Sequence, residues 1–299
     1  MNAYITGSTG FVGKHLSKYL NDYGLDVKAI NRQELNEADK LFFTKDSSII
    51  HLAGKAHDLK RTAKIEEYYE VNFELTKTLY DAFLKSEATM FIFVSSVKAV
   101  ADSLNSPLTE EVIANPKTPY GKSKHMAENY IINQPLPNGK TYYILRPCMI
   151  HGPGNKGNLN LLYKFVKKSV PYPLASFVNQ RSFLSIENLC FVIANMLKKN
   201  IPSGVFNVAD DVALSTNQVV EILANSMNKK PKLLAIPQSY IRLLARIGDI
   251  FRLPLNSERL YKLTENYVVS NKKIKQALNL ELPISVEHGL AITAKSFEA

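Results

Sequence analysis

The stretch Ala3-Tyr4-Ile5-Thr6-Gly7-Ser8-Thr9-Gly10-Phe11-Val12-Gly13 decides the fold. Its first four residues read as a strand and its glycines as a tight turn. From His15 to Tyr23 apolar residues (Leu16, Tyr19, Leu20) then return at helical spacing. Strand, glycine turn and helix in that order are the context a dinucleotide fingerprint requires. Glycine lets a backbone approach a pyrophosphate, and the N–H groups that open a helix bind its oxygens. Gly7, Ser8, Thr9, Gly10, Phe11, Val12 and Gly13 are therefore expected to cradle a nucleotide cofactor.

Outward from the turn, strands and helices alternate. Val27-Lys28-Ala29-Ile30 is the next strand and ends at Asn31-Arg32. An acidic residue there would hold the ribose hydroxyls of NAD(H) and repel a 2′-phosphate. Asn31 lacks that charge and Arg32 offers a guanidinium, so NADP(H) is favoured and NAD(H) is the alternative. Ser48 to Gly54 is a buried-type strand whose end, Leu52-Ala53-Gly54, leaves room for a cofactor; His51 within it suits a core hydrogen bond, with no metal-ligand spacing around it. One long helix is expected from about Thr62 to Lys85, carrying Asn72 among Tyr69, Phe73, Leu79 and Phe83. Met90 to Val94 is entirely apolar and empties into Ser95-Ser96-Val97-Lys98; Thr141 to Pro147 is a further strand. Such runs belong to a parallel sheet covered on both faces, and the alternation gives a doubly wound α/β fold. Beyond His151-Gly152-Pro153-Gly154 the pattern loosens into mostly helical segments, with Ser215 and Ser285 suited to N-caps. The expected division is a cofactor domain over 1–155 plus about 183–210, and a smaller substrate-binding region over 156–182 and 211–299.

Thr118-Pro119-Tyr120-Gly121-Lys122-Ser123-Lys124 carries acid–base potential. On one helix, Tyr120 and Lys124 stack on the same face. At ~4 Å and an effective dielectric of ~20, an ammonium favours phenolate by roughly 4 kcal/mol. With one pK unit worth about 1.4 kcal/mol, a phenol near pKa ~10 is expected to fall towards ~7.

Composition narrows the setting. The chain has 299 residues, 45% hydrophobic and 21% charged, which suits a globular protein with a sizeable core. Two cysteines, Cys148 and Cys190, do not make a disulfide scaffold and fit a reducing compartment. Cys148, with no base beside it, is expected to pack rather than react. No basic, apolar leader opens the chain, so a cytoplasmic location is expected. Net charge is +10, and residues 151–299 carry 19 Lys+Arg against 10 Asp+Glu. The basic residues are scattered in pairs without interleaved aromatics, which argues against nucleic acid and leaves a phosphorylated ligand, an anionic membrane surface or merely a Lys-rich proteome.

Together, Thr6-Gly7-x-x-Gly10-Phe11-x-Gly13, the Ser95-Ser96 strand end and Tyr120-x-x-x-Lys124 resemble the extended short-chain dehydrogenase/reductases, Rossmann-fold enzymes of sugar nucleotides. Arg146-Pro147-x-x-Ile150-His151-Gly152-Pro153 and Arg181-Ser182-Phe183-Leu184-Ser185-Ile186-Glu187-Asn188 extend the resemblance over nearly the whole chain. Ser95-Ser96-Val97-Lys98, Gly152 to Asn158 and Asn179-Gln180-Arg181-Ser182 look like bacterial surface-polysaccharide enzymes that reduce UDP-4-keto-6-deoxy-amino sugars. Ala99-Val100-Ala101 departs from that group.

The resemblance implies roles residue by residue. Tyr120 is the acid/base, Lys124 binds the nicotinamide ribose, and Ser96 hydrogen-bonds the sugar O4. Ser95 and Pro147 shape the nicotinamide site, and Asn72 matches an asparagine near it. Lys98, Lys156, Asn158 and Arg181 lie on the substrate side, with Arg181 on the UDP diphosphate. Dehydratases of this kind place an Asp-Glu pair where this chain has Val97-Lys98, which argues against dehydration. Arg32 favours net reduction with NADPH over the alternative, a UDP-sugar 4-epimerase recycling tightly bound NAD. A scaffold protein that has lost catalysis is the third reading. A homodimer through the Thr62–Lys85 and Tyr120–Ile132 helices is implied as well.

Overall fold

The computed structural model describes residues 2–55, 64–155, 158–251, 253 and 255–297. Six strands form one parallel sheet: β1 (Asn2–Thr6), β2 (Asp26–Ile30), β3 (Ser48–His51), β4 (Met90–Val94), β5 (Thr141–Pro147) and, later in the chain, β8 (Gly204–Val208). Their order is β2-β1-β3-β4-β5-β8. Successive residues of the central strands go to opposite faces, and both faces are buried. Ile50, Ile92, Val94, Tyr143 and Leu145 join one core, while Ile49, Phe91, Phe93 and Ile144 join the other. That is why these strands read as continuous apolar runs.

Helices cover the two faces. On the first lie α1 (Phe11–Asp22), through Leu16 and Leu20, and α7 (Ile186–Lys198), the most apolar helix of the sheet half. On the second lie α2 (Arg32–Asn36), α4 (Leu75–Lys85) and α5 (Pro119–Asn133), through Leu35, Leu79, Tyr80, Phe83, Ala127 and Ile131. The long helix expected from about Thr62 to Lys85 runs without a break from Ile65 to Lys85. It comprises α3 (Ile65–Tyr69), a π-helical segment Glu70–Glu74, and α4, and residues 56–63 lie outside the described set. Strand order reverses direction between β1 and β3, and in open α/β sheets the crevice at the carboxyl ends of such a pair is where ligands bind.

The rest of the chain gathers around a third core. A two-stranded parallel ribbon, β6 (Met149–His151) with β7 (Phe183–Ser185), leads from the sheet into it. Around it pack α6 (Asn158–Lys167), α8 (Thr216–Ser226), α9 (Gln238–Phe251), α10 (Ser257–Thr264) and α12 (Val286–Lys295), joined through Tyr163, Phe177, Leu223, Ile241, Leu260 and Leu290. The remaining helix, α11 (Lys272–Leu278), lies instead against the sheet core through Ile274 and Leu278. Ser215 and Ser285 cap α8 and α12 by accepting from the backbone N–H groups of Gln218 and His288.

Candidate active site at the carboxyl ends of β1, β3 and β4

The site is assembled from strand ends and the first turns of α1 and α5. Gly7 takes φ +69°, a conformation that favours glycine, and a Cβ there would lie 2.8 Å from the Ala53 nitrogen. A Cβ on Gly13 would lie 2.2 Å from the Gly7 carbonyl. The turn is thus pressed against both the β3 end and the start of α1. Gly10 caps that helix without a side-chain hydrogen bond, and no acidic residue occupies its first turn. These N–H groups suit the diphosphate of a nicotinamide dinucleotide.

Beside the turn runs a buried hydrogen-bond chain. Thr6 and His51 sit opposite each other in the β1–β3 register. Thr6 Oγ1 accepts from the backbone N–H groups of Leu52 (3.2 Å) and Ala53 (3.1 Å), so its own proton points to His51 Nδ1 at 2.7 Å. That leaves His51 Nε2 as the donor to Thr76 Oγ1 (2.9 Å), which donates to the Asn72 carbonyl (2.9 Å). Burial, and then the Lys124 cation, push the imidazole down to about 3. The expectation of a core histidine is met, and the histidine secures the β3 end against the π segment.

Asn72 lies in that π segment, fully buried. Its Oδ1 accepts from the Lys55 N–H (2.8 Å), and its Nδ2 donates to the Lys55 carbonyl and to Ser123 Oγ, both at 3.1 Å. One amide therefore ties the chain after Gly54 to the second turn of α5. A Cβ on Gly54 would lie 2.9 Å from Asn72 Oδ1 and 3.1 Å from Lys124 Nζ, so glycine is what lets these groups converge. π segments recur at functional sites, because the extra residue re-aims the side chains.

The inward stripe of α5 holds Tyr120, Lys124 and Glu128 at successive four-residue intervals. Thr118 caps the helix through the Gly121 N–H (3.2 Å), and Asp102 accepts from the Thr118 hydroxyl (3.2 Å) and the Lys117 N–H (2.7 Å). Gly121 is required by contact: a Cβ there would lie 2.3 Å from the Lys98 carbonyl. Half-buried Tyr120 is hydrogen-bonded by the Ser96 side chain, and Tyr68 meets its ring edge-on at 6.4 Å. The phenol is not depressed as expected from its spacing to Lys124. Burial raises its pKa, the Ser96 bond lowers it in part, and the Glu128 and Tyr68 charges raise it further. The Lys124 cation is not among the causes acting on the phenol, and it is held at the β4 end. Its Nζ donates to the Val94 carbonyl (3.0 Å) above the Phe93 ring, and desolvation brings its pKa down to about 8.

Glu128 was not singled out in the sequence, yet it anchors the stripe. It is fully buried and takes Arg146 Nε at 3.1 Å and Arg146 Nη2 at 2.6 Å. It also accepts from Ser95 Oγ at 2.5 Å. Against burial, its hydrogen bonds and the Arg146 charge hold the carboxyl below its usual range. Ser95 is thus turned down into the helix–sheet interface, away from Ser96. The resemblance implies a place for Ser95 at the nicotinamide site, and here its hydroxyl is engaged by Glu128. Cys148, beyond buried Pro147, has its thiol raised by burial, as suits a packing residue.

The other predicted residues divide. Asn31 caps α2 in a capping box: its Oδ1 accepts from the Glu34 N–H (3.0 Å), and its own N–H donates to Glu34 Oε2 (2.8 Å). Arg32 is exposed beside it. Lys98 Nζ donates to the Asp102 carbonyl (2.8 Å) and stands 4.0 Å over the Tyr267 ring. Arg181 donates to the Lys262 carbonyl (3.2 Å), with Glu265 4.0 Å away. Lys98 and Arg181 both feel the Glu265 carboxylate, whose pKa is raised by burial. Lys156 and the side chain of Asn158 lie outside the described residues.

A sequence model described as the NAD dependent epimerase/dehydratase family matches residues 3–209. The UDP-glucose 4-epimerase of Vibrio cholerae is 30% identical over 98% of this chain and 94% of its own length. The GDP-6-deoxy-D-mannose reductase of Pseudomonas aeruginosa is 25% identical over 74% of this chain and 79% of its own. Among solved structures, MoeE5 in complex with UDP-glucose and NAD superposes with TM-score 0.76 at 19% identity, covering 100% of this chain and 99% of that one. RMD from Pseudomonas aeruginosa complexed with NADPH gives 0.75 at 20%, covering 99% of each. With the glycine cradle, the Ser96–Tyr120 pair and buried Lys124 in one crevice, and a family match across two thirds of its length, the chain belongs to the NAD dependent epimerase/dehydratase family.

Proposed function

We propose that this protein reduces the C4 ketone of a nucleotide-linked 4-keto-6-deoxy-amino sugar, with UDP as the nucleotide and NADPH as the reductant, in surface polysaccharide synthesis. The observation that carries this reading is the Ser96–Tyr120 hydrogen bond in the crevice beside the glycine cradle, and Arg32 at the β2 end favours net reduction with NADPH. A phenol kept protonated at neutral pH is a proton donor, as reduction of a ketone requires.

In this reading the glycine cradle and the first turn of α1 bind the diphosphate, and the nicotinamide supplies hydride when bound. Tyr120 gives its proton to the oxygen that becomes the C4 hydroxyl. Ser96 hydrogen-bonds that oxygen as its charge develops. Lys124 carries a buried positive charge beneath both. Asn72 and the Glu128–Arg146 pair position α5 against the sheet and do not touch substrate. Arg181, Lys98 and Lys156 are assigned to the substrate's nucleotide and phosphates, and the substrate region to 156–182 and 211–299. A homodimer through α3–α4 and α5 completes the assignment, supported by outward-facing Ile65, Met126 and Ile132 on those helices. A monomeric mass by light scattering would remove that part.

A specific feature favours a second reading, a UDP-sugar 4-epimerase that recycles bound NAD. The Asn31–Glu34 capping box sets a carboxylate at the β2 end, which disfavours a 2′-phosphate. The 30% identical Vibrio cholerae relative carries that activity in its name. The two readings separate in one experiment. Purified protein is incubated with a panel of UDP-hexoses and UDP-4-keto-sugars, with NADPH, NADH or neither. Net consumption of NADPH on a keto sugar supports reduction. Interconversion of UDP-hexoses without added cofactor, from protein isolated with stoichiometric NAD, replaces it with epimerisation. Equal kcat/KM for NADPH and NADH removes Arg32 from cofactor choice.

A further inference from the structure

Among the described residues, α9 exposes more large apolar side chains than any other helix. Along α9, Ile241, Ala245 and Gly248 face the third core and are buried. Tyr240, Leu243, Leu244, Ile247, Ile250 and Phe251 occupy a separate sector and are exposed, Ile250 by 75% and Phe251 by 69%. An α-helix needs only one apolar stripe to join a core, and this second stripe of six large residues stands exposed among the described residues. Gly248 lets the chain fold back on the buried side, since a Cβ there would lie 1.8 Å from the Leu255 carbonyl. The returning α10 adds exposed Tyr261 and Leu263.

Charge selects what covers this face. Residues 227–264 hold eight Lys+Arg against two Asp+Glu, so this segment supplies most of the net +10. Both acidic residues are engaged locally, Asp249 with Ser257 (2.6 Å) and Glu258 with Lys262 (2.8 Å). Arg242 and Arg246 are exposed along one edge of the helix, between its buried face and its apolar sector, with Arg242 5.6 Å from the Phe177 ring. A second copy of the chain docking here by two-fold symmetry would set this basic segment against itself. An anionic bilayer surface meets both demands, taking the apolar side chains at the headgroup boundary and neutralising the arginines. Among the described residues no helix is long and apolar enough to cross a membrane, so the contact would be peripheral.

We infer that α9, with the end of α10, docks this protein on anionic lipid surfaces, with Leu244, Ile247, Ile250 and Phe251 entering the headgroup layer. The test is flotation of the full chain with vesicles of phosphatidylglycerol mixed with phosphatidylcholine, against vesicles of phosphatidylcholine alone. Wild type is expected to float with the anionic vesicles only, and added salt is expected to release it. Ile250→Ser/Phe251→Ser and, separately, Arg242→Glu/Arg246→Glu are each expected to weaken binding about tenfold or more. Both variants should keep the wild-type circular dichroism spectrum and its cooperative thermal unfolding. Failure of wild type to float with anionic vesicles overturns the inference, and so does equal flotation of both variants. Loss of a dimer in Ile250→Ser/Phe251→Ser, with no lipid binding by wild type, would make the face a copy-to-copy interface instead.

Discussion

The interface between sheet and α5 and the outer face of α9 treat side chains in opposite ways. Between α5 and the sheet, groups that prefer water are buried: His51, Asn72, Lys124, Glu128 and Arg146. Each is matched by specific partners. On α9, side chains that avoid water are exposed, with Arg242 and Arg246 at the edge of their sector. Buried polar networks hold one geometry, because leaving any member unpaired is expensive. An exposed apolar stripe holds none until something covers it. The first arrangement suits a site whose proton donor must stay in register with a strand end. The second suits contact with a deformable surface.

The comparison breaks first at Tyr120. Tyr120→Phe should lower turnover about 10²–10⁴-fold by removing the proton donor, while a fluorescence titration finds nicotinamide binding little changed. Near-wild-type turnover would sink the assignment of Tyr120. Next is Arg146→Met, which strands Glu128 without its cation and should cost about 3–5 kcal/mol in urea unfolding. Glu128→Leu/Arg146→Met should recover most of that, and a double variant as weak as the single would show that the pair does more than balance charge.

The acid limb of stability sharpens the same half. His51 has its folded pKa near 3 against an ordinary 6.5, so the unfolded chain takes up the proton first. Its contribution is full above pH 6.5 and is lost as pH falls towards 3. By about pH 4 the wild type should lose about 3 kcal/mol that His51→Gln does not lose, as read from urea midpoints across pH. Parallel pH profiles would place the imidazole in water. Gly121→Ala should cost about 1–3 kcal/mol, because its Cβ meets the Lys98 backbone rather than a movable side chain. The smallest effect is expected on the other side of the comparison. Ile250→Ser should change stability by no more than about 0.5 kcal/mol, since the residue packs against little in the isolated chain. A larger loss would mean the stripe is already covered.

Much of the fold was legible because its signals are local. Apolar strands at Met90–Val94 and Thr141–Pro147, the glycine turn after β1, and Ser215 and Ser285 as caps each depend on a few neighbouring residues. The π turn inside the Thr62–Lys85 helix was not legible, since Glu70–Glu74 carries no proline or glycine and the turn is stabilised by Thr76 and by contacts with α5. Glu128 was passed over for a similar reason. A glutamate on a helix is usually solvated, and only the pairing of α5 with β5 brings Arg146 to it.

The amino-acid sequence by itself determined the parallel sheet, the cradle at Gly7–Gly13 and the candidate acid Tyr120, because period, turn chemistry and motif spacing are written in short stretches. Tertiary structure decided the rest. It raised Tyr120 instead of lowering it, since burial of the phenol outweighs its spacing to Lys124. It turned Ser95 onto Glu128 and left Ser96 for Tyr120. It also sorted the two apolar sectors of α9, one into the core and one outward. Desolvation and packing depend on residues far apart in the chain, and no local pattern encodes them.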